Sequence, residues 1–211
     1  MIDHRAAQTP VRNQGDRPTC AGFAVSAAHE WAADDGELRS PEHAIWAGHQ
    51  IQSIPGREET AIAWSLEGLG LHRHATEAAW PYGVPHWTAG PPDAVRDDAN
   101  SRALPPVQRL SGPWFEAVRD SLGTGDPVIL TIGVVQPLWQ TPGPLIDAEP
   151  GRKTHGNHAV LAVAISEAHE DPQLVLVKNS WGPGWADRGY GTLSRRYLDH
   201  YTIAAHRLET P

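Results

Sequence analysis

In Gly156-Asn157-His158-Ala159-Val160-Leu161-Ala162-Val163-Ala164-Ile165 the run from His158 and, a little further on, Gln173-Leu174-Val175-Leu176-Val177-Lys178-Asn179 read as two short apolar strands. Both are rich in valine, isoleucine and leucine and are bounded by turn-forming residues. The first opens on a histidine and the second closes on an asparagine. If the two strands are adjacent and antiparallel, those two ends meet, and an amide there would fix the tautomer and the direction of an imidazole.

Working outward, Pro127–Val134, Gly189–Leu193 and Tyr201–Arg207 read as further strands. Short strands with turns between them predict an antiparallel sheet or barrel. Before residue 80 the texture is helical. Thr19 is expected to cap a helix from Cys20 to about Ala33. Ser40-Pro41-Glu42 is a helix start, with a cap, a proline at the first position and an acid in the first turn. Thr60 is expected to cap a third helix carrying Ile62, Leu66 and Leu69 and stopped by Gly70. Pro81–Pro106 is proline-rich and reads as a long surface connection. A fourth helix is expected from about Pro113 to Leu122, stopped by Gly123. The predicted class is α+β, with a mainly helical unit over 1–105, a mainly β unit over 106–211 and a cleft between them.

Composition narrows the function. The chain has 211 residues and a formal net charge of -8, with 17 scattered basic residues. That disfavours nucleic acid as a partner, because neutralising phosphates requires clustered cations. No apolar run reaches the ~18 residues of a spanning helix, so no membrane partner is expected. Cys20 is the one cysteine, which excludes an internal disulfide and a cysteine-based zinc cluster and fits a reducing, cytoplasmic setting. His72-Arg73-His74 and His155–His158 lack a third ligand at proper spacing, so they read as solvated histidines, and no metal or cofactor is expected. Asp34-Asp35 and Asp97-Asp98 read as solvated faces. Trp87 and Trp139 lie in loop-like contexts where substrate contact is conceivable; most of the nine tryptophans read as core or cleft wall.

Cys20 opens its helix, where unpaired N–H groups and the helix dipole favour a thiolate. A buried apolar role is the commoner fate of a lone cysteine. Gln14, six residues upstream, carries an amide that can donate to an oxyanion if the loop folds back. His158 and Asn179 complete the set.

Taken together these segments resemble the papain family of cysteine peptidases. Val11-Arg12-Asn13-Gln14-Gly15 through Cys20-Ala21-Gly22-Phe23-Ala24 resembles the nucleophile motif. Gly156-Asn157-His158-Ala159-Val160 resembles the histidine motif. Lys178-Asn179-Ser180-Trp181-Gly182, with Gly184-Trp185 and Gly189-Tyr190-Gly191, resembles the asparagine motif. All three stand in family order, and the similarity covers nearly the whole chain. Ser40-Pro41-Glu42 and Glu77–Tyr82 resemble segments of bacterial members.

The resemblance implies a two-subdomain fold, helical in its first half and antiparallel and barrel-like in its second, with an extended polypeptide or peptide substrate in the cleft. It implies Cys20 as nucleophile, His158 as acid and base, Asn179 as its orienter and Gln14 in the oxyanion site. It also implies a Cys20–His158 thiolate–imidazolium couple, and Trp181 as a shield over the His158–Asn179 bond. Asn157, Gly22 and Ala21 are the remaining neighbours of substrate and site. Two departures stand out. The loop Gly15-Asp16-Arg17-Pro18-Thr19 lacks the second cysteine that secreted members bridge, so packing must hold it. Ala21 replaces the usual bulky aromatic and is expected to widen the cleft. No leader or propeptide is recognised ahead of Ile2. The implied activity is peptide-bond hydrolysis, with narrow processing expected in a cytoplasm. The alternatives are a ligase or acyltransferase using the same site, and an inactive peptide-binding module.

Overall fold

The structure, a computed structural model, describes residues 1–83, 88–140, 143, 145–148, 150–166 and 173–210. Trp87 lies outside them. Helix α1 spans Cys20–Ala33 and is the centre of the molecule, with Ala21 to Ala32 all buried. A helix buried on every side, its polar Ser26, His29 and Glu30 included, is enclosed by its neighbours. It packs on α2 (Pro41–Ile51), on α3 (Ile62–His72) and on the sheet.

Small residues set these distances. A Cβ on Gly22 would fall 2.8 Å from the Pro41 carbonyl oxygen, and one on Gly68 would fall 2.1 Å from that of Ala47. Ser40 caps α2 by accepting from the His43 N–H.

The expected caps at Thr19 and Thr60 do not form. Thr19 turns its hydroxyl to Tyr82, and Ala61 stands at the cap position of α3. Helix α3 also runs past Gly70, ending at Arg73 with φ 63°. The 81–106 connection holds a further helix, α4 (Asp93–Ala99), which buries Val95 and Ala99.

Strand β1 (Ile2–Asp3) is the first of the sheet, and β2 (Val107–Leu110) follows α4. Helix α5 spans Trp114–Thr124 and stops at Gly125, φ 90°, two residues beyond the expected glycine. Then come β3 (Val128–Gly133), β4 (Asn157–Ser166), β5 (Leu174–Lys178), β6 (Tyr190–Ser194), α6 (Arg195–Tyr201) and β7 (Thr202–Leu208). The strands pair in the order β2-β7-β3-β4-β5-β6, all antiparallel, and β1 pairs with β4 beyond the end of β3. The path ends at β2 and β6, so the sheet is open rather than a closed barrel. Its centre, β4, is buried from His158 to Ile165 because α1 and α5 pack against it.

The helical half carries a buried histidine cluster, which corrects the expectation of solvated histidines at 72–74. His74 is fully buried, and its Nδ1 lies 3.0 Å from that of His29, so one ring must donate and the other accept. His74 Nε2 faces the Ser40 carbonyl at 3.0 Å, and His43 Nδ1 accepts the Ala75 N–H at 2.8 Å. His72, by contrast, is exposed, with its ring edge on Trp46. Asp98 is not merely solvated, since it accepts from the N–H and hydroxyl of Thr76.

Burial holds His29 and His43 at about 4 and His74 well below the ordinary histidine range; Arg39 and Arg102 push His29 down and Asp35 pushes it up. The unfolded chain therefore binds these protons first. The stability they confer is whole above about pH 6.5 and is lost as pH falls from there toward 4. The melting temperature should drop steeply over that window; a flat profile from pH 7 to 4 would show that the cluster is not held neutral.

Candidate active site

The antiparallel pairing of β4 with β5 puts the start of one beside the end of the other. There the His158 ring lies 2.7 Å from the Asn179 amide oxygen through Nε2. That oxygen also accepts the Ser180 backbone N–H at 2.7 Å. A backbone N–H only donates, so the amide cannot flip, and its oxygen must face both groups. The neutral ring is then the Nε2–H tautomer, with the Nδ1 lone pair left as a base.

Both side chains are buried. Trp181 lies over the imidazole at 4.7 Å between centroids, tilted by 35°. Trp139 meets the same ring edge-on at 5.8 Å. It is fully buried, with its indole N–H on the Tyr197 hydroxyl at 2.7 Å. Substrate contact by Trp139 is therefore ruled out, and its role is to back the histidine.

Cys20, half-buried, takes the first position of α1. Burial is the largest influence on its thiol and pushes its pKa up; the backbone N–H groups of Ala159, Ala21 and Cys20 itself oppose this, and the Glu59 carboxylate adds to the rise. The Ala159 N–H, one residue after His158, places the sulfur at the head of β4. Burial likewise lowers His158 to about 4, offset by its bond to Asn179. Among the described residues no hydrogen bond joins the thiol to the imidazole. Burial thus penalises a charge on either group.

Gln14 is buried, and its amide is held at both ends. Its oxygen accepts from the Ser180 hydroxyl at 2.6 Å, and one of its N–H bonds goes to the Arg17 carbonyl at 2.7 Å. The second N–H has no hydrogen-bond partner among the described residues. Ser180 carries this arrangement and was not singled out in the sequence, although it stands beside Asn179 in the asparagine motif.

Asn157 is exposed at the start of β4. Ala21 is 4% exposed and belongs to the core, so it does not widen the cleft as expected. Gly22 is buried against α2 and owes its small size to that packing. Among the described residues, no three His, Cys, Asp or Glu side chains are arranged to hold a metal ion, and no helix is long and apolar enough to cross a membrane.

Known proteins resemble this chain in sequence and fold. The chain is 33% identical over 212 residues to a cathepsin L-like peptidase of Aedes aegypti, covering 95% of this chain and 59% of that protein. It is 24% identical to papain of Carica papaya, over 94% of this chain and 55% of the other. The chain thus spans about three-fifths of the length of the relatives it matches first. Among solved structures, xylellain, a cysteine protease from Xylella fastidiosa, superposes with a TM-score of 0.84 at 19% identity, covering 96% of this chain and 83% of that one. Procathepsin L 3 of the Tenebrio molitor larval midgut gives 0.78 at 21% identity, covering 99% and 69%. The family model described as papain family cysteine protease matches residues 74–209, a span that includes His158 and Asn179. By fold, site and sequence, the chain belongs to the papain family of cysteine proteases.

Proposed function

We propose that this chain is a cysteine endopeptidase that hydrolyses peptide bonds through a thioacyl-enzyme. The observation that carries the reading is the fixed Nε2–H tautomer of His158, which leaves Nδ1 as a base on the strand end whose next N–H, that of Ala159, faces the Cys20 sulfur.

His158 Nδ1 takes the thiol proton as the sulfur attacks the peptide carbonyl. The resulting oxyanion receives the free N–H of Gln14 and the backbone N–H of Cys20. The imidazolium gives its proton to the leaving amine, and the C–N bond breaks. Water, losing a proton to the same nitrogen, then releases the acid and restores the thiol.

Asn179 moves no proton; it keeps the ring in one tautomer throughout. We read the specificity as narrow and the setting as a reducing cytoplasm. A chain with one cysteine has no internal disulfide to lose there, and broad digestion would damage its own compartment.

Cys20→Ala should abolish turnover, and a thiol-directed electrophile should label Cys20 stoichiometrically. Peptidase activity persisting in Cys20→Ala would end the proposal.

Replacing the imidazole exposes the effect of burial on the thiol. In His158→Ala the thiolate has no cation beside it, so Cys20 should titrate above the ~8.5 of a free thiol. Alkylation measured from pH 5 to 10 tests this, and a midpoint at or below 8.5 would mean burial does not govern the sulfur.

Losing Asn179 removes orientation but leaves the thiol, the imidazole and the oxyanion donors. Asn179→Ala should therefore keep a rate between wild type and Cys20→Ala. Trp181→Ala should cost less rate and more stability, since a large aromatic leaves the ring cluster. The double variant should lose less than the two singles combined, because both act on one hydrogen bond. Strict additivity, read from kcat/KM on a peptide substrate, would show that the two residues act separately.

A further inference from the structure

The loop from Gln14 to Thr19 carries the oxyanion donor at one end and leads into the nucleophile at the other, with no disulfide to close it. Its internal bonds are few and local. Gly15, at φ 62°, gives its N–H to the Asn13 side chain at 2.9 Å, and the Thr19 N–H returns to the Arg17 carbonyl at 2.8 Å.

Both ends meet on a distant residue. The Tyr82 hydroxyl donates to the Gln14 carbonyl at 2.7 Å and stands 2.8 Å from the Thr19 hydroxyl. A phenol has one proton, and the Gln14 carbonyl takes it, so Thr19 is the donor of the second bond. The middle of the loop is seated on the same side chain: the Arg17 guanidinium lies over the Tyr82 ring at 4.4 Å. Arg17 is held there by Glu42, which is fully buried, and by Glu58. Phe23 on α1 meets the ring edge-on at 4.6 Å, and the Tyr82 N–H is fixed by Glu77 at 2.9 Å. One side chain therefore touches the loop's first residue, its centre, its last residue and the helix that follows.

We propose that Tyr82 is a positioning residue for the oxyanion site, a non-covalent clamp that aims the Gln14 amide at the carbonyl attacked by Cys20. The inference rests on the peptidase reading and adds to it a residue that lies 68 positions from Gln14 in the chain. Ser180 and the Arg17 carbonyl orient the amide of Gln14; Tyr82 fixes the backbone from which that amide extends. Its effect is confined to the transition state, because the oxyanion forms only there. Tyr82→Phe is the informative variant. It deletes both hydroxyl contacts and keeps the ring under Arg17 and against Phe23.

In wild-type background Tyr82→Phe should lower kcat about 10-fold with KM unchanged, as loss of a contact made only in the transition state requires. In a Gln14→Ala background the same change should have no further effect on kcat, because the amide it positions is gone. A residue that merely supports the fold would lower kcat by the same factor in both backgrounds. That outcome, or a Tyr82→Phe rate equal to wild type, overturns the proposal. Amide hydrogen exchange tests the clamp without turnover: Tyr82→Phe should speed exchange within Gln14–Thr19 at least 10-fold and leave β4 as it was. If the wild-type chain cleaves no peptide, the peptidase reading fails and exchange alone decides the clamp, with unchanged exchange across the loop overturning it.

Discussion

The site depends on one short antiparallel contact between the start of the chain and the segment after β5. The Gln14 N–H bonds to the Ser180 carbonyl at 2.8 Å, the Gly182 N–H bonds to the Arg12 carbonyl at 3.1 Å, and Asn13 pairs with Trp181 between them. Side chains bind the same strips, with the Ser180 hydroxyl on Gln14 and the Lys178 ammonium on the Thr9 carbonyl. The contact sets Gln14, Asn179 and Trp181 in one register. A shift by one residue would take the Ser180 hydroxyl off the Gln14 amide. The close approach has a backbone condition: Gly189, φ 91°, lies where a Cβ would sit 2.4 Å from Val11.

Burial does electrostatic work in this frame. Cys20 and His158 are both placed where a single charge is costly, and the groups that moderate the cost are oriented dipoles: N–H groups of α1 and β4 toward the sulfur, the Asn179 amide toward the ring. Such dipoles are fixed before the reaction and need no reorganisation during it. The indoles of Trp181 and Trp139 on the imidazole maintain the low dielectric that makes them effective.

Much of this was legible in the sequence, for physical reasons. The helix beginning at Cys20 and the strands at His158 and before Asn179 are long or strongly apolar, and Cys20, His158 and Asn179 stand at or beside an element's end, where a boundary is easy to read. The parts that were missed are of two kinds. Helix α4 and helix α6 carry weak but present patterns: Val95 with Ala99, and Ser194 as a cap before Tyr197, Leu198 and Tyr201. Prolines around the first and the two arginines that open the second mask both patterns. Strand β2 has no such pattern, since Val107, Gln108 and Arg109 are all exposed at the sheet edge, and only pairing with β7 makes them a strand. Thr19 and His74 failed differently. Local rules make a threonine before a helix a cap and paired surface histidines solvated, but the partners that decide both, Tyr82 and His29, lie 63 and 45 residues away.

Residue size explains why these ends meet at all. For the Ala159 N–H to reach the Cys20 sulfur, the start of α1 must press on the start of β4, and bulky side chains at that crossing would hold the two apart. The helix supplies Ala24 and Ala27 there, and the strand supplies Ala159. Helix propensity favours the alanines of α1, but nothing in strand propensity favours those of β4, where alanine is depleted. Ala159 is therefore explained by the helix that packs on it. Ala21 fits the same account: a large aromatic there would need room, and the residue instead lies buried in the core beside the nucleophile. The cleft chemistry and the packing of the core are in this sense one constraint, because the same small side chains that let α1 lie against the sheet bring the sulfur to the histidine's strand.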